Sequence, residues 1–425
     1  MQNRNQDSDW LRADNWQAVL DDPKHLPSNI LQHLQKENDL TESWLGGTDS
    51  RQWILDELKA TIRGKDDSVE VQDSGFGYWQ RFIQNAEYPD FLRRNLKNNQ
   101  TTVLLYGDKR AKNHSYYNLG TVDHSPNHHY FAVTEDTQGS ERYTLSVFIA
   151  GEFKPLEAPL TDCRGDFKWS SDSKKILYTR LDDNQRPSSV WCHKLGEDQS
   201  KDTLVFNLDD PSKFIGIGTT SSNAFIKIDI HDHQTSQSFL LDSDLALLKP
   251  IPVTAWVDSL EYECEHVGRH LIIRANFNHE NFALFRSNLP SINRPTQPND
   301  WTLLWAPPEG ELLNDIEILA THWILEVCKE GCNRYFVCDA NPEKFVIRYP
   351  LDLDSVIHQS HLVPLPGFHR STIRLRFSTP ALPARTIEID LNTGKKTVLK
   401  ISNPPNGHTE SNYIVKRLYG ISSDG

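Results

Sequence analysis

The sequence has few of the features that mark a membrane, secreted or nucleic-acid-binding protein. Its 425 residues include six cysteines, and no apolar run approaches the ~18 residues of a membrane span. The first residues, MQNRNQDSDW, lack the apolar core of a secretory signal. Lys and Arg number 45 against 58 Asp and Glu, so the formal net charge is −13 and no basic excess exists for nucleic acid. We therefore predict a cytoplasmic protein that binds neither nucleic acid nor membrane.

What the chain does contain is a repeat of short strands. Residues 119–208 comprise two successive copies of a four-strand pattern, and each copy has a polar turn after its first strand. That turn is Ser125-Pro126-Asn127 in one copy and Ser170 to Ser173 in the other. Short strands at even spacing, separated by turn residues, are typical of radially repeated β-sheet.

The repeat extends over most of the chain, and its steps of roughly 40–50 residues are those of propeller blades. The predicted units begin near Gly75, Leu119, Cys163, Phe214, Leu260, Glu311 and Ser355. The predicted fold is therefore all-β, a seven-bladed β-propeller preceded by a short α-helical N-terminal arm. A pair of β-sandwiches is the alternative, because turn-punctuated strands also occur there.

Three segments of the chain are expected to differ in structure. Residues 1–68 are predicted to be the helical arm, with one helix beginning near Ser28 and a second after Ser50. Residues 69–405 are predicted to be the propeller. Residues 406–425 are expected to lead out of it, with a strand from Tyr413 to Ile421 and a turn at the end.

Several segments resemble the oligopeptidase B branch of the prolyl oligopeptidase family of serine peptidases. They occur in the same order along nearly the whole chain and include GSERYTL at 139–145, WSSDSKKILYTRLDDNQRPSSVWCHKLG at 169–196, HDHQTSQ at 231–237 and NYIVKRLYGISSDG at 412–425. The resemblance implies an arm and a propeller that cover the active site of a peptidase cleaving short peptides after Lys or Arg. It also implies two partners, an α/β-hydrolase catalytic domain expected to be absent from this chain and short basic peptides.

No catalytic residue is predicted in the chain itself. A serine nucleophile of the hydrolase class lies on a strand–turn–helix elbow in a Gly-x-Ser-x-Gly-like setting. The closest string is GISSDG at 420–425, in which the spacing differs and no helix follows. We therefore expect an inactive, cofactor-free chain that acts as the substrate-gating lid of such a peptidase. The alternative is a free-standing β-propeller that serves as a binding or scaffolding module.

Charged residues within the repeat are the candidate interdomain residues. Glu141 and Arg142 lie at the start of a third strand, and Arg180 and Asp182 close a second strand. They are predicted to form salt bridges on the face that meets a catalytic domain. The alternative is that they orient loops within or between blades, where exposed pairs contribute only ~0–1 kcal/mol.

Cysteine and histidine clusters are the candidate metal sites. Cys328 and Cys332 have zinc-like spacing, with Cys338 and His322 nearby, but they flank a hairpin tip where inert packing is the simpler interpretation. Two further clusters fall at expected turns and are predicted to be solvated, namely His128-His129 and His231-Asp232-His233. We predict no metal.

Overall fold

The computed structural model describes residues 8–45, 49–353, 355, 357–405 and 407–424. Its N-terminal part contains three α-helices, which are α1 (Trp16–Asp21), α2 (Ser28–Leu45) and α3 (Asp49–Ala60). The predicted short N-terminal helices are therefore confirmed. None of the helices in the described residues is both long and apolar enough to span a bilayer.

Apart from one further short α-helix and several single-turn 3-10 helices, the regular structure of the described residues is antiparallel β-sheet, which hydrogen bonding divides into six sheets. The first sheet contains β1 (Asp66–Asp67), β2 (Val71–Asp73), β3 (Phe76–Phe82), β4 (Asp90–Asn95) and β5 (Thr101–Tyr106), and is followed by α4 (Gly107–Ala111). The second contains β6 (Asn118–His124), β7 (Tyr130–Asp136), β8 (Tyr143–Ile149), β9 (Leu160–Trp169), β10 (Lys175–Leu181), β11 (Pro187–Lys194) and β12 (Thr203–Asn207).

The four remaining sheets have four strands each. The third contains β13 (Phe214–Thr219), β14 (Phe225–His231), β15 (Ser236–Asp242) and β16 (Ile251–Pro252). The fourth contains β17 (Tyr262–Val267), β18 (His270–Ala275), β19 (Ala283–Asn288) and β20 (Thr302–Trp305). The fifth contains β21 (Glu311–Ile318), β22 (His322–Lys329), β23 (Cys332–Asp339) and β24 (Ile347–Pro350). The sixth contains β25 (Gln359–Val363), β26 (Thr372–Thr379), β27 (Leu382–Asp390) and β28 (Lys396–Ile401).

The prediction of a seven-bladed propeller is wrong. The described residues form an all-β propeller with five separate blades, which are the first, third, fourth, fifth and sixth sheets, and one continuous seven-stranded sheet. The difference lies in residues 119–208, where two four-strand units were expected. The predicted unit start at Cys163 falls inside β9 instead of opening a new sheet.

One long strand accounts for this difference. β9 has ten residues, and it pairs with β8 near its start and with β10 toward its end, so it serves both expected units. Gly165 lies at the bend with a φ of +114°, a conformation that side chains rarely adopt. A Cβ atom at this position would also lie 3.3 Å from the ring of Tyr143. The glycine therefore permits the strand to change partners without a break.

Apolar side chains between neighbouring sheets form the core. Leu177 and Val190 of the second sheet pack with Ile226 of the third. Ile272 of the fourth sheet packs in the same way with Trp323 of the fifth, and all these side chains are completely buried. Burying one such side chain contributes about 1.5–3 kcal/mol, so contacts between sheets hold the propeller together.

The last sheet returns to the first one. Lys400 Nζ donates to Asp66 Oδ2 at 2.6 Å, and Arg374 Nη1 donates to the backbone oxygen of Glu70 at 2.7 Å. The guanidinium of Arg63, just after α3, donates to the backbone oxygen of Asn403. The helical segment and both ends of the β region therefore meet at one place.

The strand predicted from Tyr413 to Ile421 is not formed. A strand needs a neighbour to accept its backbone hydrogen bonds, and this segment pairs with none of the described strands. A side chain holds it instead, since Arg417 contacts Glu330 Oε2 at 2.9 Å and Cys332 Sγ at 3.1 Å. Gly425, the last residue of the expected turn, lies outside the described residues. The division of the chain at residues 68 and 405 stays a prediction.

A buried histidine in the second sheet is held by two carboxylates. His193 is completely buried, with Nδ1 2.7 Å from Asp202 and Nε2 3.1 Å from Glu157. Burial alone would lower the pKa of this imidazole, but its hydrogen bonds to Asp202 and Glu157 outweigh that effect and raise the pKa to about 9. The folded protein therefore keeps His193 protonated at neutral pH.

This arrangement predicts a pH-dependent stability. Because the pKa is raised above its ordinary value of 6.5, the stabilisation is complete below about pH 6.5 and is lost as the pH rises through about 9. The stabilisation by the protonated His193 is on the order of 3 kcal/mol. The free energy of unfolding measured with urea should therefore fall more between pH 6 and 9 for the wild type than for His193→Gln.

His233→Gln, which changes an exposed histidine, is the matched control and should follow the wild-type pH profile. Parallel profiles for the wild type and His193→Gln would contradict this account of the buried histidine.

Candidate functional site

The four predicted interdomain residues lie in two neighbouring hairpin connections of the second sheet. Glu141 and Arg142 belong to the connection between β7 and β8, and Arg180 lies near the end of β10 with Asp182 in the following turn. Pairing of β8 with β9 and of β9 with β10 brings the two connections to the same end of the sheet. The sheet register therefore places the predicted residues close together.

Asp162 joins the two arginines, and sequence reasoning missed it. Its Oδ1 lies 3.4 Å from Arg142 Nη1 and its Oδ2 lies 3.9 Å from Arg180 Nη2. Arg142 Nη2 also donates to the backbone oxygen of Asp182 at 3.4 Å. The position of Asp162 one residue before Cys163, on the strand that both hairpins share, is the signal that could have identified it.

Glu141 and Asp182 were predicted to form salt bridges here, but the described contacts of the arginine cluster do not involve their side chains. The backbone N–H of Glu141 donates to Asp136 Oδ2 at 2.8 Å. Asp182 Oδ1 accepts from the N–H groups of Asn184 and Arg186 at 2.8 and 2.9 Å, so the side chain of Asp182 closes its own turn. The arginine side chains are about a quarter exposed and Asp162 about half exposed. The contribution of each of these pairs to stability is therefore ~0–1 kcal/mol.

The N-terminal helices touch the same end of the sheet. Gln17 Nε2 of α1 donates to Asn184 Oδ1 at 2.9 Å, in the turn that Asp182 closes. The cluster formed by Arg142, Arg180 and Asp162 thus lies beside the place where the helical segment contacts the β region.

Helices α2 and α3 carry large apolar side chains that stay exposed. On α2, Leu31 and Leu34 lie three positions apart, and on α3, Ile54 and Leu58 lie four apart, so each pair forms a stripe along its helix. Exposed fractions are 45% for Leu34 and 60% for Leu58. The extended tail adds Ile414, exposed by 84%. Apolar stripes of this kind mark a surface that meets another protein surface.

An acidic cavity of about 620 Å³ lies between the third and fourth sheets. Its lining includes four carboxylates and two cationic side chains, which are Asp229, Asp232, Glu261, Glu263, Lys227 and Arg274. Residues two apart along a strand face the same side. The spacing of Lys227 and Asp229 on β14 could therefore have indicated this charged surface from the sequence.

Lys227 shows how charge is held in this cavity. Its Nζ lies 3.3 Å from Glu265 Oε1 and donates to the backbone oxygen of Cys264 at 3.1 Å. Burial alone would lower the pKa of Lys227, but the charges of Glu265 and Asp229 outweigh it and raise the pKa. Lys227 therefore stays charged, and the carboxylates of Glu261 and Glu263 face the cavity with it.

The cysteines predicted to pack inertly do not converge on a metal site in the described residues. Cys328 and Cys332 lie at the tip of the β22–β23 hairpin, where Cys332 is paired with Lys329. Cys338 is buried six residues further along β23 and paired with Trp323, roughly 20 Å from the tip at about 3.4 Å per residue. All three are free thiols.

The prediction that both His128 and His129 are solvated is half wrong. His129 is exposed, whereas the His128 side chain is buried beside Phe76 and Tyr78. The turn from Ser125 to His128 directs the imidazole inward because His128 adopts a φ of +59°. Sequence reasoning had no signal for this contact, since the covering residues come from the preceding sheet.

Comparisons with known proteins place the chain in a family. The family described as "Prolyl oligopeptidase, N-terminal beta-propeller domain" matches residues 2–402. Dipeptidyl aminopeptidase BI of Pseudoxanthomonas mexicana is 23% identical over 99% of this chain and 58% of its own length. Protease 2 of Moraxella lacunata is 22% identical over 94% of this chain and 57% of its own length. The chain thus spans less than two thirds of these relatives.

Solved structures show the same fold. The closed form of oligopeptidase B from Trypanosoma brucei with covalently bound antipain has a TM-score of 0.86 and 22% identity, over 98% of this chain and 58% of that one. Oligopeptidase B from Leishmania major has a TM-score of 0.87 and 20% identity, over 98% and 58%. The sequence resemblance to this family is confirmed. Because the family match covers nearly all of the sequence, the chain belongs to the prolyl oligopeptidase family and corresponds to its N-terminal β-propeller domain.

Proposed function

We propose that this chain is the non-catalytic, substrate-gating lid of an oligopeptidase B-like serine peptidase that cleaves short peptides after Lys or Arg. The observation that carries the proposal is the exposed apolar surface of the helical segment, which includes Leu34 and Leu58. Its proposed partner is an α/β-hydrolase domain that supplies the catalytic residues. The chain spans about 58% of its relatives, which leaves room for such a domain in proteins of their length.

Gating would depend on the arm and the arginine cluster lying side by side. The arm contacts the turn at Asn184, beside the cluster of Arg142, Arg180 and Asp162. A domain seated on the arm would therefore also lie close to this cluster. Opening and closing about such a contact admits short peptides and excludes folded proteins, because only flexible chains reach an enclosed site.

A preference for basic peptides is supported by charge. The chain carries a formal net charge of −13, and Glu261 and Glu263 line its acidic cavity. Negative potential raises the local concentration of cationic peptides and speeds their association. We therefore propose that the Lys and Arg side chains of the substrate are bound in an acidic environment to which the propeller contributes carboxylates.

The first prediction concerns activity. The purified 425-residue chain should not hydrolyse an arginyl fluorogenic peptide or react with a fluorophosphonate serine probe, because we assign it no nucleophile. Trypsin under the same conditions is the positive control. Inhibitor-sensitive turnover by the pure chain would contradict the lid proposal.

The second prediction concerns the arm. We expect the isolated chain to self-associate through its apolar stripes, and Leu34→Ser combined with Leu58→Ser should reduce the apparent mass measured by light scattering. Leu204→Ser with Leu303→Ser, which changes two exposed leucines of the propeller (47% and 49%), is the matched control. A wild type that stays monomeric at all concentrations would favour a free-standing module over a lid.

The third prediction concerns the predicted residues Glu141, Arg142, Arg180 and Asp182, which we propose face the partner domain. Arg142→Gln and Arg180→Gln should each reduce the free energy of unfolding by less than ~1 kcal/mol, because their pairs are partly exposed. Arg370→Gln is the contrasting control, since Arg370 pairs with Glu317 in a more buried setting and should cost more. Losses of several kcal/mol at Arg142 or Arg180 would assign the cluster to the fold instead.

A further inference from the structure

Two imidazoles and a carboxylate meet between the first and second sheets. Asp73 ends β2, His124 ends β6, and His128 lies in the turn that follows β6. One carboxylate oxygen of Asp73 and one ring nitrogen of each histidine lie within 4.8 Å of one another. His124 Nε2 is 3.1 Å from Asp73 Oδ2. These three side chains form the only such group found in the described residues.

One atom in this group is buried without a partner. The side chain of His128 is 8% exposed, and its Nε2 makes no hydrogen bond to the described residues. Its Nδ1 is engaged by the hydroxyl of Tyr78 at 2.7 Å. A buried polar atom that lacks a partner costs free energy and calls for an explanation, such as an ion.

The second nitrogen of His128 has a partner of its own. The Tyr78 oxygen can accept a hydrogen bond from His128 Nδ1. Histidines that bind a metal usually donate their second nitrogen in this way, which fixes the tautomer and makes the ligating nitrogen more basic. The unpartnered Nε2 of His128 and the Nε2 of His124, which lies beside Asp73, are therefore the ligand atoms.

We propose that Asp73, His124 and His128 form a binding site for a divalent transition-metal ion, with zinc as the best match. Two imidazole nitrogens with one carboxylate oxygen are a common zinc donor set, and a water molecule completes the tetrahedron. The ligands come from two sheets, so a bound ion cross-links the first sheet to the seven-stranded sheet.

The cationic side chain of Arg93, which donates to the backbone oxygen of His128, lies close to this group and acts against a bound ion.

Binding requires a small rearrangement of the rings. The imidazoles of His124 and His128 are stacked, with centroids 4.8 Å apart and 19° between their planes. Lone pairs in nearly parallel planes do not meet at one point, so one ring must tilt toward the other. A cavity of about 220 Å³ lined by His124 and Tyr78 provides space for the His124 ring to move.

The test is zinc binding by the full 425-residue chain, measured by isothermal titration calorimetry at pH 7.5. The wild type should bind one equivalent, and His128→Gln should weaken that binding on the order of tenfold or more. Asp73→Asn, a nearly isosteric change, should weaken it as well. His231→Gln with His233→Gln removes an exposed pair and should leave the stoichiometric site intact.

X-ray absorption at the zinc edge of the wild type provides a readout that does not depend on how the variants fold. It should show two imidazole nitrogens and light oxygen ligands at about 2.0–2.1 Å. Absence of stoichiometric binding, binding unchanged in both His128→Gln and Asp73→Asn, or a spectrum with sulfur ligands would overturn the proposal.

Discussion

Face-to-face packing of neighbouring sheets is the constraint on which this structure depends. The fully buried side chains that join one sheet to the next, such as Leu177 with Ile226 and Ile272 with Trp323, are supplied by strands distant in the sequence. Because each sheet is stabilised mainly by its neighbours, loops at the sheet ends are free to vary, and the candidate surfaces lie there. The arginine cluster around Asp162 and the Asp73–His124–His128 group both lie at strand ends.

The surfaces left uncovered by this packing define the function that we propose. The β region buries its apolar core between the sheets, whereas the helical segment leaves Leu34, Leu58 and Trp53 exposed. We propose that this exposed surface meets the α/β-hydrolase domain of the proposed function. The same segment touches the turn at Asn184, so the partner and the second sheet would be neighbours.

Local sequence signals predicted the strands and helices but not how strands are shared. The strand pattern located the starts of the sheets at β6, β13 and β21 to within one residue, because turns and alternation are local properties. It failed at Cys163, where a ten-residue strand bent at Gly165 pairs on both sides. It failed again from Tyr413 onward, where a strand-like pattern has no pairing strand in the described residues. The burial of His128 depends on Phe76 and Tyr78 of the preceding sheet, so single-sequence patterns did not reveal it.

The central claim is that this propeller restricts access to a hydrolase active site. The most direct measurement fuses the chain to the α/β-hydrolase domain of an oligopeptidase B and compares that fusion with the domain alone. The substrates are a short arginyl peptide and a folded protein that displays the same arginyl sequence in a loop. We predict that the fusion cleaves the peptide and loses cleavage of the folded protein, because the lid excludes it. Equal cleavage of the folded protein by the fusion and by the free domain would contradict the account.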